Sequence, residues 1–163
     1  MVVKRYIMIE HEYKSHNKTK LMYHIVCPSK YRKNVFTEDI EISLKEICKE
    51  IELRYEIKFI EVGTDKDHVH FLIQSVPSLS VSSIVKTIKG IISRELFKRH
   101  KELKKQLWGG SLWTSGFYAN TVGDYGNVDA VRNYVLSQGK EKEYKPLYKS
   151  SKQLSIFDEP EYI

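Results

Sequence analysis

Two helix-period apolar stripes enclose a stretch of period two, and that alternation limits the folds open to this chain. Over residues 38–55, Ile40, Leu44, Ile47, Cys48, Ile51 and Tyr55 recur at helical spacing. From residue 81 on, Val81, Ile84, Val85, Ile88, Ile91, Ile92 and Leu96 do the same, with Lys86, Lys89, Arg94, Lys98 and Arg99 off the centre of the stripe. Between them, residues 57–63 and 68–76 read as strands joined by the polar turn Thr64-Asp65-Lys66-Asp67, a hairpin pattern. Thr37 and Ser80 are the expected N-caps. Residues 21–26 read as an earlier strand, and 117–122 as a later one. Residues 123–126 form a Gly-bearing turn, after which 128–138 read as a short helix. Strand, helix, strand, strand, helix, strand is the split β-α-β order, so the expected fold is α+β and ferredoxin-like. Its antiparallel sheet carries helices on one face, and a further helix follows near the C-terminus.

The second hairpin strand carries the first chemical signal. Residues two apart on a strand share a face. His68 and His70 therefore project together with Leu72 and Gln74, while Val69, Phe71 and Ile73 project into a core. The strand is expected to be half-buried. Two imidazoles about 7 Å apart along a strand form half of a divalent-metal site if a third group approaches them. Asp65 and Asp67 bring negative charge nearby, although turn formation is their commoner role. Read alone, an isolated His-x-His is more often a bland surface pair.

Net charge is +6 and unevenly spread. Residues 1–34 carry +6, residues 35–85 carry −5 and residues 86–105 carry +6. Two basic blocks around an acidic one suggest an anionic partner, though solvated helix faces would give the same pattern. Cys27 and Cys48 lack metal or disulfide spacing and read as reduced, partly buried thiols. No apolar stretch approaches the roughly 20 residues of a membrane span, and the start of the chain lacks a secretory pattern. The expected location is cytoplasmic.

The last helix carries the second signal. Tyr134 and Gln138 are four apart and lie on one face, flanking the apolar stripe of Val131 and Val135 rather than opposing it. A boundary tyrosine would do this with no function at all. Neither motif contains a general base.

Lys30-Tyr31-Arg32-Lys33, the hairpin ending in His68-Val69-His70, the segment 113–124 and Tyr134-x-x-x-Gln138 follow one another in that order. Together they resemble the single-tyrosine HUH transposases of the smallest bacterial insertion sequences, over roughly residues 16–140. Residues 1–15 form an extension and 141–163 a tail, both outside the resemblance. The resemblance implies a DNA transposase that cleaves and rejoins single-stranded DNA at hairpin-bearing element ends. It implies Tyr134 as the nucleophile that forms a 5′-phosphotyrosine. It implies Mg²⁺ or Mn²⁺ held by His68, His70 and Gln138. It also implies a homodimer in which the tyrosine helix of one subunit docks on the histidines of the other. Lys30, Arg32, Lys33, Lys86, Lys89 and Arg94 are the expected phosphate contacts. Trp108, Trp113 and Phe117 are candidates for base stacking or for core packing. Two other readings share these features in part. One is a non-catalytic ferredoxin-like nucleic-acid-binding module; the other is a domesticated relative that nicks hairpins.

Overall fold

The structure is a computed structural model, and it describes residues 9–123 and 128–137. A small hairpin, β1 (Glu12–Lys14) and β2 (Asn17–Thr19), precedes the main unit. There follow β3 (Leu21–Pro28), a 3-10 turn (Lys30–Arg32), α1 (Glu38–Glu52), β4 (Ile57–Thr64) and β5 (His68–Ser75). The order ends with α2 (Val81–Arg99), α3 (Glu102–Gln106), β6 (Tyr118–Thr121) and α4 (Val128–Leu136). The main sheet has the order β4-β5-β3-β6 with antiparallel neighbours throughout. That is the ferredoxin-like arrangement, with α1 and α2 on one face and α4 on the other.

Strand alternation sorts the side chains into two cores. Ile25, Cys27, Val69, Phe71 and Ile73 face α1 and α2, meeting Leu44, Ile47, Ile51, Ile84, Ile88 and Ile92. Met22, Ile60, Leu72 and Val122 face the other way and meet Val131 and Val135 of α4. β5 is the central strand, and all eight of its residues are buried. The expected half-buried strand is thus covered on both sides. The alternation was real, but α4 roofs the face that carries the histidines. Cys27 and Cys48 are free and buried, and burial pushes the Cys27 thiol up to about 12.

β4 contains a β-bulge. Its register against β5 shifts between Phe59 and Glu61. A bulge places one extra residue against a single partner. The consequence is visible in packing: Ile60 joins the core beneath α4, and Glu61 accepts from Arg132 of α4 at 3.4 Å.

Several local expectations differ in detail. Ser80 caps α2 through its hydroxyl, which accepts from the Ser83 backbone at 3.1 Å. Thr37 has the extended backbone of an N-cap but makes no side-chain cap bond; Glu38, Asp39 and Glu41 in the first turn of α1 instead complement its dipole. Residues 12–19, split between extension and domain on sequence grounds, pair with each other, and the buried Gln74 amide donates to the Glu10 carbonyl at 2.6 Å. None of the described helices is long and apolar enough to cross a membrane.

Candidate active site

The site is built where β3, β5 and α4 meet. His68 and His70 project from β5 onto the α4 face, their ring centroids 4.9 Å apart. Tyr134 reaches them from α4 of the same chain, its ring edge-on to His70 with centroids 5.4 Å apart. Here the chain's own helix covers its own histidines. The physical reason is the apolar seat under Val131 and Val135, together with Gly63. A Cβ at Gly63 would lie 1.8 Å from the Val135 carbonyl oxygen, so only glycine lets α4 approach this closely.

Each histidine is held by a different brace. The His68 Nδ1 lies 2.6 Å from Asp67 Oδ1. A carboxylate oxygen only accepts, so Nδ1 donates, and Nε2 is the ring nitrogen outside that bond. Asp67 is anchored in turn by Arg32, whose Nε donates to Oδ2 at 2.8 Å. His70 is bonded through Nδ1 to His24 Nε2 at 2.9 Å, and the two rings stack with centroids 5.2 Å apart. The His70 Nε2 is buried and has no hydrogen-bond partner. An orphaned buried nitrogen is costly unless something else uses it.

Burial disfavours the charged forms of His24 and His70. It lowers His24 to about 4. It lowers His70 well below the usual imidazole range, and the neighbouring His24 and His68 add to the effect. Neutral imidazole is the metal-binding form. A carboxylate behind one histidine and a fixed ring behind the other is the kind of outer-shell arrangement that orients imidazoles for a metal. The residues therefore fit a divalent ion as two imidazole donors. Among the described residues no group of three or more His, Cys, Asp or Glu completes a metal cluster. Gln138, the expected third ligand, lies outside the described residues, as do residues 124–126 of the expected turn.

The basic and aromatic candidates separate into distinct groups. Lys33, Lys86 and Arg94 are exposed, and Lys30 holds its ammonium 5.2 Å from the Tyr31 ring. Lys86 and Arg94 belong to α2, across the sheet from the histidines. Arg32 braces Asp67. Lys89 is a correction to the phosphate-contact set. Its ammonium donates to the carbonyls of Thr114 at 2.6 Å, Gly116 at 3.2 Å and Ser115 at 3.4 Å. Three donors for three carbonyls make it a clamp between α2 and the segment before β6. Burial accordingly lowers its pKa. Trp113 is also structural: it stacks on Phe36 and its indole N–H donates to the Lys89 carbonyl at 3.0 Å. Phe117 packs against the main core, whereas Trp108 is 87% exposed.

Sequence reading missed His24, and it missed Asp67 and Gly63 in these roles. Parity does place His24 on the face of Met22. Its partner, however, lies 46 residues away, and only the β3–β5 register reveals it.

Comparison with known proteins matches residues 17–138 to the family model described as transposase IS200 like. The ISDra2 transposase TnpA of Deinococcus radiodurans is 31% identical over 119 residues, covering 73% of this chain and 84% of that protein. The transposase for insertion sequence element IS200 of Salmonella typhimurium is 29% identical over 142 residues, covering 87% and 88%. A crystal structure of a transposase from Deinococcus radiodurans R1 superposes with a TM-score of 0.64 at 27% identity, covering 76% of this chain and 95% of that one. The family match spans most of the sequence and includes the strand, hairpin and helix that build the site, so the chain belongs to the IS200-like transposase family.

Proposed function

We propose that this transposase cleaves and rejoins single-stranded DNA at hairpin-bearing ends, with Tyr134 as the nucleophile. The observation that carries the reading is Tyr134 edge-on to His70, in a histidine pair whose Nδ1 atoms are each engaged, one by a carboxylate and one by a second histidine, while His70 Nε2 has no partner. A bound Mg²⁺ or Mn²⁺ held by His68, His70 and Gln138 would polarise the scissile phosphate. The Tyr134 oxygen attacks phosphorus and the bond to the 3′ oxygen breaks. The products are a 5′-phosphotyrosine and a free 3′-OH. Attack by another 3′-OH on that ester reverses the step and restores the tyrosine. The covalent link conserves the phosphodiester energy, so rejoining requires no nucleotide hydrolysis. Buried surroundings exclude water from the histidine face, which protects the ester from hydrolysis. Lys30, Lys33, Lys86 and Arg94 are the candidate phosphate contacts.

The test is covalent capture. Protein, Mn²⁺ and labelled single-stranded hairpin oligonucleotides should give a denaturant-resistant adduct. Tyr134→Phe should abolish it while leaving DNA binding in place; an adduct in that variant would remove the nucleophile assignment. His68→Ala should lower cleavage by about 100-fold or more, and undiminished cleavage would sink the metal reading.

A further inference from the structure

The turn after β3 holds an exposed aromatic ring in a backbone conformation that has no packing reward. Tyr31 has φ 56° and ψ 25°, and Arg32 has φ 51°. Left-handed geometry at two successive residues, neither of them Gly, Asn or Asp, costs on the order of 1 kcal/mol or more each. The surrounding bonds enforce it. The Ser29 amide donates to the Asp67 carbonyl at 2.8 Å, the Lys30 amide to the Leu112 carbonyl at 2.8 Å, and the Ser29 hydroxyl to the Lys33 carbonyl at 2.7 Å. The outcome is a Tyr31 that is 66% exposed, with the Lys30 ammonium beside its ring.

The same turn borders a cavity of about 350 Å³ lined by Pro28, Ser29, Lys30, Tyr31, Arg32 and Thr114. That volume lies at the small end of ligand pockets, roughly 300–1,000 Å³, and suits a single nucleotide. The cavity adjoins the histidine pair through the backbone and through side chains. Pro28 is the register partner of His68. Arg32 holds the carboxylate that holds His68.

We propose that residues 28–32, with Thr114, form a nucleotide subsite in which Tyr31 stacks on one unpaired base of the substrate strand next to the scissile phosphate. Lys30 and Lys33 face that nucleotide's phosphates. An exposed aromatic ring with the Lys30 ammonium beside it, set at the edge of a phosphate-cleaving site, is chemically matched to an unpaired nucleotide. Base–aromatic stacking tolerates any base, so this subsite sets the register of the strand rather than its sequence. The inference rests on the DNA-cleaving reading above.

The experiment places 2-aminopurine singly at each unpaired position flanking the cleavage site and binds these oligonucleotides to the Tyr134→Phe protein with Mn²⁺. One position should quench on binding. Tyr31→Ala should restore its fluorescence and weaken binding by about 5- to 100-fold, and Tyr31→Phe should retain both effects. Tyr31→Gly should weaken binding as Tyr31→Ala does while raising the melting temperature, because glycine relieves the strained φ. Quenching unaffected by Tyr31→Ala overturns the subsite. The adduct assay with intact Tyr134 is the separate control. If it gives no adduct, the DNA-cleaving reading fails; if it gives one, a negative quenching result counts against the subsite alone.

Discussion

At the scale of single residues, the site is set by what each histidine's Nδ1 is bonded to. His68 has a carboxylate behind it and His70 has His24. Outer-shell partners of this kind are typically worth 10- to 100-fold in metal affinity. His24→Leu should therefore weaken Mn²⁺ binding to the DNA-free protein by about 10-fold or more, measured by calorimetry. His24→Gln returns a polar partner to His70 and should recover much of the loss. Equal affinities in the leucine variant and the parent would remove His24 from the site. Lys89 carries the opposite lesson. On sequence it was one more cation in a basic helix, but three carbonyls from the segment before β6 converge on it. No periodicity along α2 could announce them.

At the scale of elements, the long periodic segments were legible and the short or tertiary ones were not. α1, α2 and the β4–β5 hairpin follow from spacing because their apolar stripes are long and continuous. α3 is five residues with a single buried side chain, Leu103, so it leaves almost no stripe to read. The burial of β5 on both faces was hidden because its second cover, α4, contributes just two buried side chains, Val131 and Val135, to the core. The β4 bulge was hidden for the same reason: it matters only once α4 is in place. Because Ile60, Glu61 and Gly63 all serve that helix, β4 is the element that aims Tyr134. Gly63→Ala tests this. Its Cβ would meet the Val135 carbonyl at 1.8 Å, well inside contact, so α4 must shift. Cleavage should fall by about 10-fold or more, as expected when a catalytic group is misplaced by an ångström. Hairpin binding in a mobility-shift assay should change by less than about twofold. Parallel losses in both assays would indicate general unfolding instead.

At the scale of the whole molecule, part of the charge asymmetry is spent inside the chain. Arg99 of the second basic block donates to Glu46 at 3.1 Å and Glu50 at 2.7 Å, both on α1 of the acidic block. The cations that remain as DNA candidates lie on two sides of the sheet, Lys86 and Arg94 across from the site and Lys30 and Lys33 beside it. A hairpin bound to all four must wrap an edge of the domain. Subunit exchange of the tyrosine is a separate matter. α4 is seated on its own chain by Met22, Ile60, Leu72 and Val122, by the Arg132–Glu61 pair and by the close approach at Gly63. In a dimer the partner's identical helix could occupy the same seat, since swapping an element between identical chains replaces like contacts with like. The two arrangements differ in one measurable way. We mix equal amounts of the His68→Ala and Tyr134→Phe proteins, allow subunits to exchange, and assay adduct formation. If each chain completes its own site, as the intrachain seat of α4 leads us to expect, a mixed dimer holds one site lacking its metal ligand and one lacking its nucleophile. Activity then stays at the background of either variant. If the helices are exchanged, one of the two sites in each mixed dimer pairs intact histidines with an intact tyrosine. About a quarter of the parent activity should then return, and that recovery would show the helix to be supplied in trans.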